Sequence, residues 1–103
     1  MDFRFATRRL EVLYTQGKGA ERYPEGVVDA FLDLVRHIEA ATNEQDLRTP
    51  PSLRFEQLKG RDKGKSSLRL NDQYRLIVEV SREGPRKVVV VRKISKHYKR
   101  GGP

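Results

Sequence analysis

The sequence predicts an α+β domain in which two N-terminal helices cover one face of a small antiparallel sheet. Two observations support this class. Apolar residues recur at helical spacing before residue 52, and they alternate with a period of two after it. A length of 103 residues suits a single domain over residues 1–103. The patterned apolar residues favour a folded chain over disorder, despite a mean hydropathy of −0.76.

The N-terminal part predicts a short strand and a first helix. Phe3 and Phe5 lie on the same side of a strand over Asp2–Ala6. Thr7 suits the N-cap of a helix that runs to about residue 16. Gly17 can adopt the left-handed conformation that ends this helix.

A second, longer helix is predicted over Pro24–Ala41, with Pro24 in its first turn. Its apolar stripe comprises Val27, Phe31, Leu34, Val35, Ile38 and Thr42. Residues 43–51 then form a connector with one helical turn at Glu44–Leu47. Pro50 and Pro51 close this connector, because proline disfavours a helical residue before it.

The rest of the chain predicts the other strands of the sheet. In a short strand, Leu53 and Phe55 alternate with the outward-facing Arg54 and Glu56. A basic, glycine-flanked loop follows this strand. Turn sequences at residues 71–72 and 83–85 separate the strands that follow. These strands cover about Lys65–Leu70, Gln73–Val80 and Val88–Val91. Because Val88–Val91 is unbroken by polar residues, this strand should be central and covered on both faces.

The charge is divided unevenly along the chain. Residues 1–58 carry 8 Lys/Arg against 10 Asp/Glu, a net charge of −2, whereas residues 59–103 carry 14 against 4, a net charge of +10. This asymmetry favours a polyanionic partner for the C-terminal part, with nucleic acid ahead of a membrane surface. A basic protein without such a partner is the alternative.

Several function classes lack the residues that they need. The chain has no cysteine and two histidines, His37 and His97, so thiol chemistry is excluded and a zinc site is not expected. Dinucleotide, Walker and nucleophile-elbow motifs do not occur, and no cofactor is expected. No apolar run approaches ~20 residues and the N-terminus does not resemble a signal peptide, which favours a cytoplasmic location.

Metal-independent RNA cleavage remains compatible with the residues present. The neighbouring 2′-hydroxyl of RNA can act as the nucleophile, so the protein need only assist proton transfer and stabilise charge. His97 lies among five Lys/Arg between Arg92 and Arg100, which would lower its pKa and favour the neutral, base-competent form. Arg69 and Arg75 should face away from the core on adjacent strands and could bracket one phosphate.

Each of these residues also has a simpler interpretation. His97 could be a solvated residue of a basic tail, and His37 is expected to be structural or at the surface. Arg69 and Arg75 could be ordinary surface charges. Tyr98 could pack on the sheet edge, stack on a base or donate a proton.

Basic residues outside the proposed centre are predicted to hold the RNA by electrostatic attraction. They lie in the loop after residue 58 and in the C-terminal tail. The set is Lys59, Arg61, Lys63, Lys65, Lys93, Lys96, Lys99 and Arg100.

Three stretches together resemble the RelE/ParE toxin superfamily, and most of all its HigB branch, the plasmid-maintenance killer proteins. The stretches are L-K-G at residues 58–60, S-x-R-x-N-D-Q-Y-R at residues 67–75 and I-S-K-H-Y at residues 94–98. The resemblance implies a RelE-like fold and a ribosome-dependent mRNA endonuclease that inhibits translation. It also implies a cognate antitoxin, typically a helix-turn-helix protein of the HigA type.

Carried over by position, the resemblance assigns a role to four residues. Arg75 matches the family's catalytic arginine and Arg69 a basic residue of the preceding strand. His97 matches the C-terminal histidine of a D-Y-H ending, and Lys59 belongs to the basic loop. The ending here is Ser-Lys-His followed by Tyr98, so the carboxylate of that pattern is missing.

Two other functions fit the same sequence. A ParE-like toxin would bind gyrase and would not need nuclease residues. A non-catalytic RNA-binding module would need only the basic loop and tail.

Overall fold

In the computed structural model of the protein, which describes residues 1–96, a single sheet takes its strands from both ends of that range. Its strands among these residues are β1 (Asp2–Phe5), β2 (Glu56–Gln57), β3 (Ser66–Arg69), β4 (Tyr74–Glu83) and β5 (Arg86–Lys96). They lie in the order β1-β5-β4-β3-β2. The α+β class is therefore correct.

The expectation of a purely antiparallel sheet is wrong, because β1 pairs with β5 in parallel. The other three pairings are antiparallel. A parallel pair needs a long connection between its strands. The helices, which follow β1 directly, provide the start of that connection, and the chain then enters the sheet at the opposite edge.

Helix α1 (Arg8–Gln16) has the predicted ends. The hydroxyl oxygen of Thr7 accepts a hydrogen bond from the Leu10 amide at 3.3 Å. Gly17 has a φ of 72°, and its amide donates to the Leu13 carbonyl at 3.1 Å. Thr7 therefore caps the N-terminus of α1 and Gly17 its C-terminus, as predicted from the sequence.

Helix α2 (Val27–Ala40) begins later than predicted. Pro24 lies outside it, in a turn that the Val27 amide closes onto the Pro24 carbonyl at 3.2 Å. Gly26, with a φ of 89°, precedes the helix, so the helical conformation cannot extend back to the proline. The stripe predicted for α2 is buried at Val27, Phe31, Leu34, Val35 and Ile38. Thr42, its last predicted member, lies beyond the end of the helix and is exposed, so that part of the prediction is wrong.

A single helical turn, α3 (Gln45–Arg48), follows α2 where one turn was predicted. Within residues 1–96, none of the helices has the length and the apolar composition to cross a membrane.

The strand predicted around Leu53 and Phe55 is wrong. Residues Pro51–Leu53 form a 3₁₀ turn, and the strand here is limited to Glu56–Gln57. Arg54 breaks the extended conformation with a φ of 44°, which costs a non-glycine residue roughly 1–2 kcal/mol.

The two predicted hairpin breaks are confirmed. The side-chain oxygen of Asn71 accepts hydrogen bonds from the amides of Gln73 and Tyr74, both at 2.8 Å, which closes the turn between β3 and β4. Gly84, with a φ of 64°, lies in the turn between β4 and β5. Antiparallel register then pairs Arg69 with Arg75 across the first hairpin.

The core lies between the helices and one face of the sheet. Its buried cluster joins helical residues such as Phe31 and Leu47 to strand residues that include Leu76, Val89 and Val91. All four valines of residues 88–91 are at most 3% exposed, and β5 lies between β1 and β4, so the prediction of a central, buried valine strand is confirmed.

Replacement of Phe31 by alanine should destabilise the fold by about 3–5 kcal/mol, because Phe31 is fully buried and its ring contacts those of Phe5 and Tyr14. Urea unfolding would measure this loss. Leu32→Ala, one residue further along and half-buried, is the matched control and should cost less than half as much. Equal losses would contradict the packing described.

The Glu44–Lys87 ion pair should make stability depend on acid pH. The hydrogen bond from Lys87, at 2.9 Å, is the main cause that lowers the pKa of the Glu44 carboxyl, with Arg48 assisting and partial burial opposing. A depressed carboxyl pKa stabilises the fold above the unfolded-state pKa. The stabilisation is lost as pH falls through the folded-state value.

Lys87→Gln should therefore cost at most about 1 kcal/mol near neutral pH and nothing at a pH acidic enough to protonate Glu44 in both states. Melting at the two pH values measures the difference. Lys18→Gln, in the loop after α1, should have no effect at either pH. A loss in Lys87→Gln that persists unchanged in acid would refute the linkage.

Candidate functional site

Arg69 and Arg75 face each other on β3 and β4, where they are register partners. Residues directly opposite in an antiparallel pair project from the same face of the sheet. Their neighbours Leu68 and Leu76 project into the core cluster, so the two arginines lie on the opposite face. This placement was predicted from the break at residues 71–72.

Arg75 is far more buried than a surface charge, with 8% of the residue exposed. Its Nε and Nη2 donate to the Ser67 hydroxyl at 3.2 and 2.9 Å. Nη2 also donates to the carbonyl of Arg54 at 2.6 Å. These contacts fix the plane of the guanidinium, while Nη1 makes no hydrogen bond to any residue of the described chain.

The charges around Arg75 are mostly positive. Burial is the main cause that lowers the pKa of Arg75, and the guanidiniums of Arg54 and Arg69 lower it further. The Glu56 carboxylate opposes this shift, with Oε2 at 3.5 Å from Nη2 of Arg75. An arginine remains protonated under such conditions, so the site keeps a concentrated positive charge.

Glu56 is a site residue that the sequence reasoning missed. It lies on β2 opposite Ser67, and its side chain is 62% exposed. As an outward residue of a predicted strand it received no role. The signal that could have found it is that Glu56 is the only acidic residue between Asp46 and Asp62.

Arg69, the other member of the arginine pair, is held by an ion pair with Asp72. Its Nη2 donates to the Asp72 carboxylate at 2.5 Å, and 37% of its side chain is exposed. On the neighbouring strand β5, Ser95 is the register partner of Arg75 and Lys93 that of Ile77. Lys93 is exposed and therefore joins the face that carries the arginines.

The basic loop lies beyond the far end of β3. Lys59, Arg61 and Lys63 are exposed there, whereas Lys65 is half-buried and pairs with Asp62 at 3.6 Å. About three residues of strand, on the order of 10 Å, separate the loop from Arg69. The basic loop therefore lies apart from the arginine pair.

Four predicted residues lie outside the described residues: His97, Tyr98, Lys99 and Arg100. Lys96, the last described residue, is exposed and is the register partner of Tyr74.

His37 is exposed, and its Nε2 donates to the backbone carbonyl of Asp46 at 2.9 Å. This contact joins α2 to α3, as expected for a histidine with a structural role. Within residues 1–96, no three His, Asp or Glu side chains are grouped as ligands for a metal ion.

The sequence and the fold match those of a known class of toxins. Residues 3–91 match the model of a family described as the RelE-like toxin of type II toxin-antitoxin system HigB. The chain belongs to this family. It is a HigB-like toxin of the type II toxin-antitoxin class, as the three sequence stretches had indicated.

The relatives agree with this assignment. The chain is 39% identical over 79 residues to Toxin HigB-1 of Vibrio cholerae serotype O1, covering 77% of this chain and 83% of that toxin. Among solved structures it superposes on a YoeB/ParE toxin from Agrobacterium tumefaciens with a TM-score of 0.59, 23% identity and coverage of 95% and 100%. It superposes on a point mutant of YafQ from E. coli with a TM-score of 0.62, 13% identity and coverage of 92% and 91%. These structures support the fold.

Ser67→Ala should destabilise the protein by about 1–3 kcal/mol, because it removes the hydroxyl that accepts hydrogen bonds from the buried Arg75. Chemical denaturation would measure the loss. Ser66→Ala, on the other face of the same strand, is the control and should stay within about 0.5 kcal/mol of wild type. If Ser67→Ala leaves the free energy of unfolding unchanged, the Ser67 hydroxyl does not hold Arg75 in place.

Proposed function

We propose that this toxin is a ribosome-dependent, metal-independent endoribonuclease that cleaves mRNA at the face carrying Arg69 and Arg75. The observation that carries the proposal is the geometry of Arg75. Its guanidinium is oriented by Ser67 and Arg54, beside the Glu56 carboxylate. Such a group can stabilise charge on a phosphate without reorganising during the reaction.

The arginines would hold the scissile phosphate. Nη1 of Arg75 is the nitrogen that makes no hydrogen bond to residues 1–96, and Arg69 is its cross-strand neighbour. Two guanidiniums on one face can neutralise the charge that grows on the non-bridging oxygens in the transition state. The basic set given above, which includes Lys99 and Arg100, would hold the flanking phosphates.

The chemical step needs two proton transfers. The 2′-oxygen attacks phosphorus, its proton passes to a base, and the bond from phosphorus to the 5′-oxygen breaks. The 5′-oxygen takes a proton from an acid, so the products are a 2′,3′-cyclic phosphate and a 5′-hydroxyl. We assign the base to Glu56, which leaves His97 and Tyr98 as candidate proton donors.

The carboxylate missing from the D-Y-H ending thus has a counterpart elsewhere in the chain. Glu56 is exposed enough to meet a substrate and lies 3.5 Å from Arg75. The earlier interpretation of His97 as the base is the competing assignment, and it predicts a different response to mutation.

Two partners follow from the proposed function. The ribosome would present mRNA in the cytoplasm, and a helix-turn-helix antitoxin of the HigA type would neutralise the toxin. A related fold, with a TM-score of 0.60 and 18% identity, occurs in a structure of the YoeB-YefM complex from Staphylococcus aureus. No cofactor enters the proposed reaction.

Substitution of the site residues should relieve growth arrest and stop transcript cleavage. Arg75→Gln and His97→Gln should each lower cleavage of ribosome-bound mRNA by about 100-fold or more, since each removes charge stabilisation or proton transfer. Arg82→Gln, an exposed arginine of β4, is the control and should remain toxic. Melting curves would show which variants keep the fold.

The pH profile separates the two assignments of the base. If Glu56 accepts the proton, Glu56→Gln should lose the rise in rate on the acid side of the profile, while His97→Gln should keep it. If His97→Gln loses this rise and Glu56→Gln keeps it, His97 is the base. Intact transcripts together with damaged DNA after induction would refute the nuclease and favour a gyrase-directed toxin. RNA binding without toxicity or cleavage would favour a non-catalytic module.

A further inference from the structure

We propose that Arg54 is a third phosphate-binding arginine of this site, held in a strained backbone conformation so that its side chain joins Arg69 and Arg75. This inference rests on the proposed function. It adds a residue that the sequence reasoning treated as a solvent-facing position of a strand, which residue 54 does not occupy.

The backbone of Arg54 is unusual within residues 1–96. Its φ of 44° and ψ of 55° make it the only non-glycine residue of that range in the left-handed region. Glycine adopts this conformation without strain, whereas an L-residue with a long side chain does not. Backbone strain at one position is a reason to look for function there.

The strain orients the carbonyl of Arg54. That oxygen accepts a hydrogen bond from Nη2 of Arg75 at 2.6 Å. A glycine at this position would present the same carbonyl without the steric cost. The carbonyl therefore explains the backbone conformation, and it leaves the choice of arginine unexplained.

The side chain of Arg54 gives the fold no visible support. It is exposed, and it makes no ion pair or hydrogen bond with another residue of the described chain. Its charge also acts unfavourably on Arg75, since the two guanidiniums repel each other. The free protein would thus gain from a different residue at position 54.

A polyanion changes this balance. Two carboxylates lie beside the arginine pair: Glu56 is 3.5 Å from Arg75, and Asp72 is 2.5 Å from Arg69. Neither forms an ion pair with Arg54, whose charge repels that of Arg75. A phosphate placed among the three guanidiniums would relieve the repulsion and use the donors of Arg54, which form a planar fork suited to phosphate oxygens. Arg54 is therefore assigned to the scissile phosphate or to its immediate neighbour.

Arg54→Gly is the most informative variant, because it removes the side chain and relieves the strain together. The expected result is a melting temperature equal to or above that of wild type, with the rate constant for cleavage of ribosome-bound mRNA lowered by about 10- to 100-fold at saturating toxin. Arg54→Gln, which keeps length without charge, should lose as much rate. Arg54→Lys should retain an intermediate rate, because it keeps the charge without the fork.

Arg36→Gln is the matched control, since Arg36 is an exposed arginine on α2 paired with Asp33 at 3.4 Å. It should cleave at the wild-type rate. If Arg54→Gly and Arg54→Gln melt below wild type, the cleavage rates are compared at a temperature where all variants are folded. The rate constant then still tests whether the Arg54 side chain takes part in cleavage.

The outcomes are distinguishable. Wild-type protein that fails to cleave ribosome-bound mRNA would overturn the proposed function and this inference with it. Cleavage by wild type, with Arg54→Gly and Arg54→Gln equally fast, would overturn only the role of Arg54. A slow Arg54→Gly with undiminished stability supports the role, because a merely structural residue would lower both quantities.

Discussion

The hydrogen bonds of Arg75 to Ser67 and to the Arg54 carbonyl are the contacts on which the site depends. A charged group buried to this extent is costly unless its donors are satisfied. Ser67 on β3 accepts hydrogen bonds from Nε and Nη2, and the Arg54 carbonyl, in the segment that leads into β2, accepts one from Nη2. The same bonds therefore join the segment before β2 to β3 and β4, and they hold the guanidinium in one orientation.

This arrangement makes the sheet a rigid support for the site. The core face of the sheet is covered by helices whose buried residues include Phe31 and Leu47. The opposite face carries the arginine pair together with buried apolar residues such as Ile77 and Val90. Antiparallel register then decides which charges meet, since it places Arg69 opposite Arg75 and Glu56 opposite Ser67. A slip of one residue in either pairing would move these side chains to the core face.

Membership of the HigB-like toxins agrees with the fold of this chain and with the side chains grouped around Arg75. The family and the fold support a toxin, and the grouped arginines with one carboxylate support phosphate chemistry. The two lines are independent, because fold alone does not define an activity. The proposed nuclease therefore depends on the side chains around Arg75, which mutation can change while the fold is retained.

The sequence by itself determined the elements with strong local signals: Thr7 and Gly17 at the ends of α1, the stripe of α2, and the turn at Asn71. It also placed Arg69 and Arg75 on one face, since a hairpin break and a period of two suffice for that. Only the tertiary structure decided the parallel pairing of β1, the left-handed Arg54, and the position of Glu56 beside a buried Arg75. These features depend on contacts between residues about 20 or more positions apart, which periodicity and capping do not encode.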